Sequence, residues 1–167
     1  MNPHFVLTRR WRMDTDAAAL WALLADVPSW PRWWPQVRRV RVLQRAPGDP
    51  VGNVTEIDWS SALLNGIRLQ VLTTAAERPR LLEGRASGDL RGVGSWLLEP
   101  RPEGGVEVTW RWGLELDRGW MRSMAPLLRP VFEGQHFATV RAGAQGMAQA
   151  LGCRHWGGQE WSGHRRS

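Results

Sequence analysis

The stretch Val-Glu-Val-Thr-Trp-Arg-Trp-Gly-Leu-Glu-Leu, residues 106–116, alternates without interruption. Val106, Val108, Trp110, Trp112, Leu114 and Leu116 share one face, and Glu107, Thr109, Arg111, Gly113 and Glu115 the other. A period of two with a single apolar face is the signature of a half-buried antiparallel strand. Beyond Asp117 the period lengthens. Met121, Met124, Leu128, Phe132, His136, Val140, Gly143, Met147 and Leu151 recur at spacings of three or four and predict one amphipathic helix. Pro126 and Pro130 fall inside it, and each removes an amide donor. A kink or restart is expected there, with the main helix spanning about 130–151.

Upstream, the same reading yields more strands. Phe5, Leu7, Arg9, Trp11 and Met13 alternate against Val6, Thr8, Arg10 and Arg12 in an opening strand. Asp14-Thr15-Asp16 offers capping oxygens to a helix over about 15–26. Pro28, Pro31 and Pro35 then allow only a short tryptophan-bearing helical turn, Ser29 to Trp34. Period-two segments follow at 37–45, 54–62, 67–73, 81–87 and 91–99, parted by turn residues such as Pro47-Gly48-Asp49-Pro50. Consecutive strands on short turns pair antiparallel, because parallel pairing needs crossovers. The predicted class is therefore α+β: a curved antiparallel sheet of six to seven strands, two short helices after the first strand, and a long C-terminal helix. That helix is the one element long enough to cover the sheet's apolar face.

Composition narrows the function classes. The 167 residues suit one domain, read as 1–152, with the Gly-, His- and Arg-rich segment 153–167 expected to be a flexible tail. Twelve Trp occur with no Tyr, and every one of the 22 basic residues is Arg. The net charge of +6 would permit nucleic-acid contact, but the arginines are scattered. Their densest run, Arg38, Arg39 and Arg41, is interleaved with Val37, Val40 and Val42 as on a strand's wet side, so no nucleic-acid partner is expected. No segment has the roughly 18 apolar residues of a membrane span or the apolar run of a signal peptide, and the single Cys153 suits a reducing compartment. A cytoplasmic protein without stable membrane insertion is expected, as monomer or homodimer.

Three segments carry a family resemblance: WALLADVPSWPRWWP at 21–35, GDLRGVGSW at 88–96 and WMRSMAPLLRPVF at 120–132. With Gln135, His136, Thr139, Val140 and Gly143 on the last helix, they resemble the START/Bet v 1-like (SRPBCC) superfamily, and within it the bacterial polyketide cyclase/dehydrase group. The likeness runs from about residue 5 to 152. It implies a helix-grip fold, with the sheet wrapped around the last helix and an internal cavity for a hydrophobic, aromatic or polyketide-like molecule. It does not choose between binder and enzyme.

Candidate ligand-contacting residues are Trp33, Trp34, Trp59, Leu69, Trp96 and Trp110. Trp112, Leu128, Phe132, His136 and Val140 complete the set. The tryptophans offer flat apolar walls but would equally fill a dry core. His136 lies on the inward helix stripe. It reads either as a buried neutral imidazole or as the general acid/base of a cyclase or dehydratase. A third reading is a protein-interaction module with a filled core, using the Trp30–Trp34 edge and the basic tail. Four histidines without ligand spacing exclude a recognisable metal site, and no nucleophile elbow or phosphate loop occurs. No cofactor is expected.

Overall fold

The computed structural model describes residues 4–48, 50–61, 66–115 and 119–164. The opening strand, β1 (His4–Met13), is followed by α1 (Ala17–Ala25), whose Asp16 cap accepts from the Ala19 amide at 2.7 Å. A 3-10 turn, Val27–Arg32, carries the proline-rich segment. Six strands come next: β2 (Val37–Gln44), β3 (Val54–Trp59), β4 (Ile67–Glu77), β5 (Leu81–Gly88), β6 (Arg91–Pro100) and β7 (Val106–Glu115). Then come α2 (Gly119–Leu151) and β8 (His155–His164). The order in the sheet is β2-β3-β4-β5-β6-β7-β1-β8, antiparallel throughout. This is the α+β helix-grip architecture expected from the alternation and the terminal helix stripe.

Three differences from the sequence reading are instructive. First, 155–164 is not a tail but an eighth strand paired with β1. The cause is Arg9, which falls on the inward face of β1 and is only 7 % exposed. Its guanidinium needs a counter-charge, and Glu160 on β8 supplies it while also pairing with Arg141 of α2. Second, α2 runs through Pro126 and Pro130 without a break. Both prolines are exposed, so the carbonyls one turn before them lie on the wet side of the helix. Third, the sheet has eight strands, not six or seven. Leu116 and the side chains of Met121 and Met124 lie outside the described residues.

The core has two parts. The larger gathers α1, the 3-10 turn and the C-terminal half of α2, with Leu20, Leu24, Val108, Val140, Ala144 and Met147 almost wholly buried. Gly143 and Gly146 make this packing possible: a Cβ on Gly143 would sit 2.6 Å from the Trp34 ring, and one on Gly146 would collide with the Trp33 carbonyl. The smaller part joins Phe5, Leu7, Leu69, Ala86, Trp112 and Leu114 to Phe137. Among the described residues no helix is long and apolar enough to cross a membrane.

Candidate functional site

A cavity of ≈ 210 Å³ lies between the sheet's concave face and α2. Its floor follows from strand register. Gly84 of β5 faces Gly94 of β6, and Gly94 in turn faces Trp112 of β7. Neighbouring side chains cover both positions, and a Cβ on Gly84 would meet Val71 Cγ1 at 2.6 Å. A Cβ on Gly94 would meet the Trp110 ring at 2.7 Å, so the glycine is what lets that indole lie flat over β6. Trp110 and Trp112 stand in parallel, 6° between planes and 6.5 Å between centroids. Trp96 contacts Trp110 at 4.5 Å, while Trp34 contacts both Trp96, at 5.9 Å, and Trp59, at 4.8 Å. The cavity thus has continuous aromatic walls.

Nine of the eleven residues named from sequence line this space: Trp34, Trp59, Leu69, Trp96 and Trp110 from the sheet side and the 3-10 turn's end, with Trp112, Phe132, His136 and Val140. Trp33 and Leu128 do not. Trp33 is buried in the core, stacked on Trp34 at 5.6 Å, with its indole N–H donating to Ser29 Oγ at 3.4 Å. The Trp34 amide bonds to the Trp30 carbonyl at 2.8 Å, an α-type turn that sets residues 30 and 34 on one side and leaves 33 against α2. Trp30 takes the wall position that had been assigned to Trp33. Leu128 is half-buried outside the wall. Steps of four residues drift about 40° each on a 3.6-residue helix, so Leu128 lies about 120° round from Val140.

Most polar atoms of the wall are already engaged. The Trp34 indole donates to the Thr139 carbonyl at 2.9 Å, Ser60 Oγ to the Gln36 carbonyl at 3.3 Å, and Thr139 Oγ1 to the Gln135 carbonyl at 2.9 Å. Ser61 Oγ lies 3.3 Å from Gln135 Oε1. Trp110 Nε1–H donates to His136 Nε2 at 3.0 Å, with the two rings 20° from coplanar. With Nε2 accepting, the neutral ring carries its proton on Nδ1, which has no hydrogen-bond partner among the described residues. Burial depresses the His136 pKa from 6.5 to about 4. The imidazole is therefore neutral at pH 7, its residual surface being cavity wall. Among the described residues no cluster of His, Cys, Asp or Glu could hold a metal ion.

Sequence reasoning placed Trp30 at an interaction edge and not among the ligand-contacting residues, and it missed Gln135 and Ser61. Gly94 has a visible signal, a glycine within an otherwise regular strand pattern, whereas the pairing of Gly84 with Gly94 comes only from cross-strand register.

A curved sheet closed by a helix over an aromatic-walled cavity defines a helix-grip fold of the START-like kind. The chain belongs to the family described as polyketide cyclase / dehydrase and lipid transport, whose model matches residues 4–152. β8 lies beyond the matched span. Similar solved structures include the ZhuI aromatase/cyclase from Streptomyces sp. R1128, 13 % identical, with 89 % of this chain and 94 % of that one covered at a TM-score of 0.72. A START superfamily protein from Mycobacterium smegmatis is 10 % identical, with 89 % and 97 % covered and a TM-score of 0.71. The major latex-like protein 151 from Panax ginseng is 13 % identical, with 89 % and 97 % covered and a TM-score of 0.70. At these identities the likeness is one of fold. No curated protein matches the sequence.

Proposed function

We propose that the protein binds a hydrophobic, aromatic or polyketide-like small molecule in this cavity. The observation that carries the reading is the wall itself: Trp30, Trp34, Trp59, Trp96, Trp110 and Trp112 surround a space that their own side chains leave empty. A protein with a merely structural use for tryptophan would close that space, since voids cost packing energy. Burying flat rings against such walls is favourable through apolar area and offset stacking.

His136 gives the ligand a point of orientation. Nε2 is occupied by the Trp110 indole. A base acting through Nε2 would have to surrender that bond, and a basicity as low as that of His136 suits proton abstraction poorly. Nδ1–H, by contrast, suits donation to a carbonyl or phenolic oxygen. Cyclase or dehydratase chemistry would use the same geometry. A neutral imidazole would polarise a substrate carbonyl by hydrogen bonding, as an electrophile rather than an acid/base, while the walls hold a flexible chain in a folded, reactive shape.

Native mass spectrometry of protein purified from its own host tests the binding reading, with a co-purified small molecule as the expected result. Protein that is empty there, and whose tryptophan emission is unmoved by any polycyclic aromatic titrant, would sink it. His136→Ala separates binder from enzyme. If chemistry runs through this ring, turnover should fall far more than affinity does, whereas a carrier shows the loss of affinity alone.

A further inference from the structure

The chain carries 22 arginines and no lysine, yet among the described residues not one arginine lines the cavity. Arg111, between the wall residues Trp110 and Trp112, is exposed, and several other arginines are held by carboxylates. Arg9, two residues from the wall residue Leu7, is held by Glu160. Arg85, between Gly84 and Ala86, lies 3.6 Å from Glu115 and is mostly exposed. Arg68 and Arg41 pair with Asp58 and Glu56. Two ionisable residues remain along the wall, Glu83 and His136. Glu83 alternates with the inward Leu82 and Gly84, and its side chain accepts from the exposed Thr74 Oγ1 at 3.1 Å on the outer face of β5, while His136 is uncharged at neutral pH.

We infer that the cavity selects uncharged, flat, ring-fused molecules bearing an acceptor oxygen and rejects the corresponding organic anions. The inference rests on the ligand-binding reading above and names the class of ligand within it. An anion entering this space gives up its hydration and meets no cation in return. A buried charge without a partner is strongly disfavoured. Among the described residues no cationic side chain faces it from the wall. A neutral carbonyl meets the opposite situation, a donor at His136 Nδ1 with no competing acceptor among the described residues. The parallel Trp110 and Trp112 rings favour a slab over a branched chain. Fatty acids and anionic phospholipids are therefore poor ligands.

Three probes on one skeleton test this: anthracene, methyl anthracene-9-carboxylate and anthracene-9-carboxylate, titrated at pH 7.5 with energy transfer from the wall tryptophans as signal. The ester is expected to bind at least tenfold more tightly than the carboxylate. His136→Phe should weaken the ester several-fold while sparing anthracene. A carboxylate that binds as tightly as the ester overturns the charge inference and leaves the ligand reading standing. If none of the three binds, the ligand reading falls and the inference with it.

Discussion

The two halves of α2 do different work with the same helical geometry. From Val140 to Leu151 the helix is clamped: Val140, Ala144, Met147 and Ala148 are buried, and Gly143 and Gly146 admit Trp34 and Trp33, just beyond the 3-10 turn, to close contact. From Ser123 to Thr139 it is a roof. Leu127 is 72 % exposed and Val131 43 %, while Phe132, Gln135, His136 and Thr139 look onto the cavity. Large residues fill the sheet under the roof, and glycines in the helix itself produce the clamp. A helix-grip fold thus obtains both a rigid core and an open space from one element by changing where it places its small residues.

The comparison can be broken most severely at Gly146. Gly146→Val forces a branched side chain into the Trp33 carbonyl and should cost about 3 kcal/mol or more, read from denaturant midpoints. Met147→Ala empties a fully buried site in the clamp and should cost about 2–5 kcal/mol. Under the roof, the His136 pKa of about 4 in the folded chain, against 6.5 in the unfolded one, gives a pH signature. Above pH 6.5 both states are neutral and the group has no effect. As pH falls from about 6.5 towards 4, the unfolded chain takes up a proton that the folded one refuses, and stability declines by at most ~1.4 kcal/mol per pH unit. His136→Phe should remove that component of the acid slope. Gly134→Ala has open space around its new methyl and should stabilise by about 0.5–1 kcal/mol, the opposite sign from Gly146. Leu127→Ala, on the exposed side of the roof, should stay within about 0.5 kcal/mol of the parent.

Most of the fold was legible because burial imposes a period. Residues 106–116 could be nothing but a half-buried strand, and the stripe ending at Leu151 nothing but a covering helix. The same logic found Trp110, Trp112 and His136. It failed where position depends on a neighbour and not on period. Trp30 and Trp33 are equivalent on paper, and one turn's hydrogen bonding decides which faces the cavity. Likewise, β8 has glycines at 157, 158 and 163 and no alternation strong enough to announce a strand. Its signal lay at the other end of the chain: Arg9 breaks the apolar face of β1, and a buried cation implies a carboxylate from elsewhere.

That eighth strand also governs how the molecule behaves in a crowd. β1 runs ten residues, is rich in apolar and aromatic side chains and contains no proline. Uncovered, its outer edge would be a template for the edge of another chain. β8 takes that edge, and it is a poorer template. Its pairing with β1 shifts register between Arg10 and Arg12, where Gly157 adopts a positive φ of 73°. Protein cut after Gly152 would therefore lose solubility before it lost its cavity.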